Sequence, residues 1–255
     1  MKLLVSIHDV MPSTLARVER ILDRLREARR IRWWPVDGKN SDVGPAPVML
    51  LVVPGVAWQH ADLDRLRAWV EAGAELAGHG WCHRARDIRG LKHRLHSALI
   101  SRRAAEHLAL ARPAIVRLML RNHRWFGDHG LPAPKLYVPP AWAMGPVPAR
   151  FLDRLPFDQY ETLAGVYDRR CGTMLRLPMA GFEADTAFRA AGVATFNKLN
   201  RAWSRRSGRP LRLGIHPDDF ELRLADDLAA MLRVGGQPVA YSSLAPCSPE
   251  AASDA

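Results

Sequence analysis

Leu3-Leu4-Val5-Ser6-Ile7-His8-Asp9 opens the chain with an apolar run that stops on an imidazole and a carboxylate. A short continuous apolar run of this kind reads as a strand buried on both faces, as in a parallel sheet. After Pro12 and Ser13, the apolar residues Leu15, Val18, Leu22 and Leu25 recur three or four apart and predict a helix. Strand, polar stop and amphipathic helix make half of a βαβ unit, and the pattern repeats. Val48 to Val53 ends at Pro54-Gly55, and a helix carrying Leu63, Leu66, Trp69 and Val70 follows, closed by Gly73. Glu75 to Gly78 reads as a short strand and 91–126 as a long helical region interrupted at Pro113. Lys135 to Val138 reads as another strand, ending at Pro139-Pro140. Strands are also expected at Leu175–Leu177, Val193–Phe196 and Arg212–Ile215. A last helix is expected from about Asp218, with Phe220, Leu222, Leu224, Leu228 and Leu232 among its apolar positions. Trp33 to Pro47 and Asn197 to Pro210 read as loops. The alternation predicts an α/β fold with a largely parallel sheet.

At 255 residues, 48% of them hydrophobic, the chain suits one such domain. We expect 1–245 to form it and 246–255 to be a flexible C-terminal tail. The net charge of +11 raises the question of nucleic acid, but 32 of the 37 basic residues are Arg and they are scattered through amphipathic segments. Nucleic-acid binding is therefore the lesser expectation. Cys82, Cys171 and Cys247 form neither a CxxC pair nor a disulfide framework. No run approaches the ~20 apolar residues of a membrane span. A soluble, cytoplasmic protein is expected.

Polar or Pro-rich clusters follow the ends of separate strands: His8-Asp9, His79 to His83, Pro139 to Trp142, and His216 to Asp219. In parallel α/β folds these ends share the rim on which active sites are built. In His79-Gly80-Trp81-Cys82-His83, the two imidazoles can face one metal ion if the segment turns helically. Asp9 would complete a two-His, one-carboxylate set, leaving positions open for water and substrate. Each of these residues also has a structural reading, the histidines as polar loop residues and Asp9 as a turn or cap residue. His216, fixed at a strand end with Asp218 or Asp219 close by, suits a general acid as well as a structural histidine. Asp218 is also expected to cap the helix that follows. Trp142, beside Pro140, is the expected wall of a substrate pocket, whereas Trp69 belongs to a helix core. Cys82 is expected to be a small filler rather than a ligand.

Four stretches in order, Ser6-Ile7-His8-Asp9-Val10, His79-Gly80-Trp81-Cys82-His83, Val138-Pro139-Pro140-Ala141-Trp142 and Leu213-Gly214-Ile215-His216-Pro217, resemble the successive motifs of the polysaccharide deacetylase (NodB-homology) superfamily. The resemblance spans residues 3 to about 220 and points to a divergent branch. It implies a distorted (β/α) barrel of about seven strands, one divalent metal ion, expected to be zinc, and removal of acyl groups from N-acetylated sugars. It also implies Asp9, His79 and His83 as metal ligands and His216 as the general acid. Two departures stand out. The family's first motif has two consecutive Asp residues, the first acting as base, and here His8 takes that place. The family's third motif carries an Arg that steadies the base, and here Val138 stands there with no clear substitute. A His base is chemically reasonable, since an imidazole of pKa ~6.5 accepts a proton near neutrality. Adjacent strand residues point to opposite faces, however, so His8 and Asp9 are expected to converge only if the strand has already ended.

The resulting expectation is a hydrolase acting on non-peptide carbon–nitrogen bonds, with a small molecule or glycan as substrate. Two alternatives remain at this level. One is a metal-binding deacetylase-like module without turnover. The other is a nucleic-acid or phosphate binder using Lys198, Arg201, Arg205, Arg206 and Arg209.

Overall fold

The computed structural model describes residues 1–28, 48–82, 106–234 and 236–244. The chain begins β1 (Lys2–Val10), α1 (Leu15–Glu27), β2 (Met49–Val52), α2 (His60–Glu71), β3 (Glu75–Gly78), α3 (Arg112–Asp128) and β4 (Leu136–Tyr137). A one-turn helix α4 (Ala149–Leu152) leads to the strands β5 (Gln159–Thr162), β6 (Gly165–Asp168) and β7 (Thr173–Arg176). The chain continues with β8 (Met179–Ala180), the long helix α5 (Ala187–Ser207), β9 (Leu211–Ile215), α6 (Ala225–Val234) and β10 (Gln237–Pro238).

The strands make one sheet in the order β7-β6-β5-β4-β3-β2-β1-β9-β8, and β10 also pairs with β1. Pairing is parallel except along β5-β6-β7, which form an antiparallel meander. The result is a mixed α/β fold whose sheet curls as a half-barrel. The curled, largely parallel α/β sheet agrees with the expected class, with ten strands where about seven were expected and an antiparallel extension at one edge.

Period-two alternation sorts side chains onto the two faces. Leu3, Val5 and Ile7 join the apolar cluster that holds α1, while Leu4 belongs to a second cluster with Met49, Leu51 and Val138. Ser6 and His8 have the same parity as Leu4. On β9, Leu211, Leu213 and Ile215 belong to the helix-side cluster. Arg212 and Gly214 alternate with them, so polar side chains are directed to the concave face.

Several sequence expectations give way to tertiary context. Val193–Phe196 is not a strand but part of α5, where the surrounding Ala and long side chains favour helix. The supposed loop Asn197–Pro210 is helical to Ser207, and Gly208, at φ 70°, supplies the left-handed stop. The interruption expected at Pro113 does fall there: a 3₁₀ turn ends at Ala109, and α3 begins at Arg112 with Pro113 in its first turn, where its missing N–H costs nothing. The helix expected from Asp218 is a single 3₁₀ turn at Asp219–Glu221, and α6 starts only at Ala225. The Asp218 side chain caps nothing and instead accepts from Arg17 at 2.7 Å. Trp33, Trp34, the 91–105 part of the expected long helix and the 246–255 tail lie outside the described residues. No helix among the described residues is long and apolar enough to cross a membrane.

His107 shows how the interior below β4 is held. Its Nδ1–H donates to the Met144 carbonyl at 3.2 Å, and its Nε2 accepts from the Tyr137 hydroxyl at 2.8 Å. The neutral ring is fully satisfied, and burial pushes its pKa down to about 4. The folded value lies below the unfolded ~6.5, so the stabilisation is complete above pH ~6.5 and is lost as pH falls towards 4. The pH-dependent part amounts to about 3 kcal/mol. Urea unfolding between pH 7 and 4 should show a decline of this order that is shallower in His107→Gln; equal slopes for the two proteins would assign it to other groups.

Candidate functional site

His8 lies at the centre of the rim formed by the strand ends. Its ring centroid is 5.1 Å from that of His79, 4.6 Å from His216 and 4.8 Å from Trp142. Residues from three of the four sequence clusters therefore converge on the fourth.

The strand does not end before His8 and Asp9; it bulges. Ile7 pairs with Leu50 and Val10 with Val52, so β1 spends an extra residue between the two pairs. Asp9 absorbs it at φ 52°, a left-handed conformation that Asp tolerates better than most residues. Thr14 Oγ1 fixes the bulge by donating to the Asp9 carbonyl at 2.5 Å. The bulge overrides strict alternation and lets His8 and Asp9 both approach His79. Ala141 and Trp142 are also left-handed, at φ 55° and 52°. All three non-glycine residues of this kind among the described residues lie at the rim, each costing of order 1–3 kcal/mol that its surroundings must supply.

His79 follows β3 with its geometry fixed. Nδ1–H donates to the Val138 carbonyl at 2.7 Å, which leaves Nε2 as an acceptor. Nε2 faces Asp9 Oδ1 at 3.3 Å. Two acceptors facing each other at this distance need something between them, either a proton on the ring or the carboxyl or a metal ion. Two donors of one tetrahedral zinc lie about 3.4 Å apart, so the pair fits a metal. The loop behind His79 is braced from three sides. Asn122 Nδ2 donates to the Gly80 carbonyl at 2.6 Å, the Trp81 N–H donates to Glu106 Oε2 at 2.8 Å, and Arg121 lies 3.9 Å over the Trp81 ring. Gly80 has φ 62°, and a Cβ there would come within 2.5 Å of Pro140 Cγ. The Cys82 thiol is turned to Glu106 Oε1, 3.5 Å away. His83, the third expected ligand, lies outside the described residues. Among the described residues no three His, Cys, Asp or Glu side chains are grouped as a metal site.

His216 ends β9 and is paired with Asp219, not Asp218. The His216 backbone N–H donates to Asp219 Oδ2 at 2.8 Å, and Nδ1 lies 3.7 Å from the same oxygen, an ion-pair distance. Burial alone would lower the His216 pKa. The Asp219 carboxylate outweighs it, with Asp9 and Glu183 adding to the effect, and the value is pushed up to about 10. The ring is thus a proton donor at neutral pH. Glu183, just after β8, has its own pKa raised by burial, partly offset by His216.

Beneath His8 runs a buried polar chain. Ser6 Oγ lies 3.2 Å from His8 Nε2 and donates to the Leu213 carbonyl at 3.4 Å, and the His8 ring lies against Trp142. The Tyr241 hydroxyl donates to Glu161 Oε2 at 2.6 Å, and Trp142 Nε1 donates to Glu161 Oε1 at 2.8 Å. Arg212 Nη1 lies 3.2 Å from Glu161 Oε1, both side chains being almost wholly buried. Arg212 also donates to the carbonyls of Thr162, Leu163 and Leu177. Gly214 leaves room for this packing: a Cβ there would lie 3.1 Å from His8 Nε2 and 3.2 Å from the Trp142 ring. Arg212 reaches His8 only through intermediaries, and with Glu161 it sets a buried ion pair beneath the rim. Sequence reading passed over Ser6, Glu161, Arg212 and Tyr241. The one signal for them was a Glu and an Arg set inside short apolar segments.

A cavity of about 340 Å³ opens beside His216 and Trp142, bounded by the residues after β8 and by α5. A cavity of about 390 Å³ lies at the opposite rim, where Met49, Glu75 and Gln159 begin their strands, and none of His8, Asp9, His79 or His216 lines it. Chemistry and cavity coincide only at the first. Trp142 forms part of that wall, whereas Pro140 packs against Gly80.

Breaking the buried ion pair should be costly. Glu161→Gln is expected to lose about 3–5 kcal/mol, because it leaves Arg212 as an uncompensated buried charge. Glu161→Leu combined with Arg212→Met should recover part of that loss in urea unfolding; a single variant as stable as wild type would remove the pair as a structural anchor. No protein-family model matches this chain, and no curated protein matches it, so its functional reading rests on the geometry of this rim.

Proposed function

We propose that the chain is a metal-dependent hydrolase of the polysaccharide deacetylase (NodB-homology) type, removing an acyl group from an N-acylated sugar or a related amide. One observation carries the reading: the His79 ring, fixed by Val138, turns Nε2 to the Asp9 carboxylate at 3.3 Å beside the adjoining rings of His8 and His216. Asp9 and His79 would hold one divalent ion, expected to be zinc, with His83 as the third ligand. When bound, such an ion makes water acidic enough to lose a proton near neutrality and polarises the acyl oxygen.

The chain's own residues supply the proton transfers. His8, between His79 and His216, takes the proton of the attacking water, with Ser6 beneath it and Trp142, tied to Glu161, against its ring. His216, charged at neutral pH through Asp219, gives a proton to the departing amine. Trp142 closes the wall beside both rings. A binding module without turnover has no need of a buried Asp219 that keeps His216 protonated, and this favours the enzyme.

Two measurements test the proposal. Elemental analysis should show about one zinc per chain, lost in the His79→Ala, His83→Ala double variant; full occupancy in that variant would remove these ligands. His216→Ala should keep its metal and lose ~10²–10⁴-fold in kcat on an N-acetylated substrate found by screening. A near wild-type kcat would make His216 structural.

A further inference from the structure

The cavity beside His216 has the wrong chemistry for a sugar ring. Leu163, Met179, Phe182, Val193 and Phe196 line it, and Trp142 and His216 frame one side. Such a wall offers hydroxyl groups almost no partners, and burying a hydroxyl without a partner is unfavourable. Its polar lining is confined to Glu183, Arg189 and His216. At about 340 Å³ the space is that of a small-ligand site, far larger than the methyl group of an acetyl needs. Its boundary continues outward into exposed apolar surface. Phe188 is 83% exposed and Phe196 40%, both on α5 and both lining the cavity. Exposed aromatic side chains joined to an apolar cavity mark a binding surface rather than a folding core.

We propose that this cavity binds a linear apolar chain, so that the substrate of the centre is an amphiphile: an amide with a polar end at the His8, His79 and His216 rim and an alkyl chain running along α5. The proposal rests on the hydrolase reading for the amide but on the cavity alone for the chain. The chain enters from either side of the amide, as the acyl group or as the substituent on nitrogen, and the same apolar contacts serve both.

Gly192 provides the control. It lines the cavity from within α5, and a Cβ built on it meets nothing within 4 Å, so a side chain there occupies open space without disturbing packing. Calorimetric titration with two ligand series separates the two sources: butanamide to decanamide for the acyl side, and N-butyl- to N-decylacetamide for the nitrogen side. Affinity should rise about fourfold for each added CH₂ in at least one series, the worth of a buried methylene. Gly192→Trp, with an unchanged thermal melt, should flatten that rise. Affinity independent of chain length in both series overturns the proposal, as does an undiminished rise in Gly192→Trp, which would place the chain elsewhere. The same compounds, assayed for amine or ammonia release with zinc present, keep the two readings apart. A chain-length slope in binding without turnover of any amide supports the cavity and defeats the hydrolase. Turnover of N-acetylated sugars with no slope in either series does the reverse.

Discussion

The Glu161 carboxylate organises the interior of this protein. It is almost wholly buried, and it takes a charge-assisted contact from Arg212 and hydrogen bonds from Trp142 and Tyr241. A buried charge is tolerable only with such compensation, and removing any one donor exposes the others to the desolvation cost. Those three partners come from β9, from the turn after β4 and from the chain beyond β10. Satisfying one carboxylate therefore fixes the relative position of distant parts of the sheet. His8 meets the same network through its ring contact with Trp142, whose indole N–H donates to Glu161.

Above this anchor the rim separates charge. His79 is tied to a carbonyl and presents a lone pair; His216 is tied to a carboxylate and presents a proton. The two imidazoles differ because their partners differ, not because their exposure does. His8 sits between them, with its ring within about 5 Å of both. The left-handed backbone at Asp9, Ala141 and Trp142 is the local cost of this convergence. Asp9 could not approach His79 from a regular strand, and Trp142 reaches Glu161 from a turn that few non-glycine residues adopt.

The apolar cavity beside His216 meets this polar network at Trp142, which lines it and donates to Glu161, while most of the rest of its wall comes from α5 and the residues after β8.

Local patterning was enough to identify the central strand, because six consecutive shielded residues admit little else, and enough to locate β2, β3 and β9 with their polar ends. It also brought His8, Asp9, His79, Trp142 and His216 to one rim, since parallel strands share a direction. It failed wherever neighbours in space decided the outcome. Val193–Phe196 has strand-like composition but is helical because α5 packs along β8 and β9. The register of β1 looked regular, yet the bulge at Asp9 depends on Thr14 and on pairing with β2. Arg212 and Glu161 lie 51 positions apart, and nothing in their immediate sequence says that each neutralises the other. Sequence alone determined which polar residues stand at the strand ends and that those ends share one rim, because these follow from period and polarity along the chain. Tertiary structure decided which partner holds each one, and with it which histidine is charged, because burial and pairing exist only once the sheet has curled.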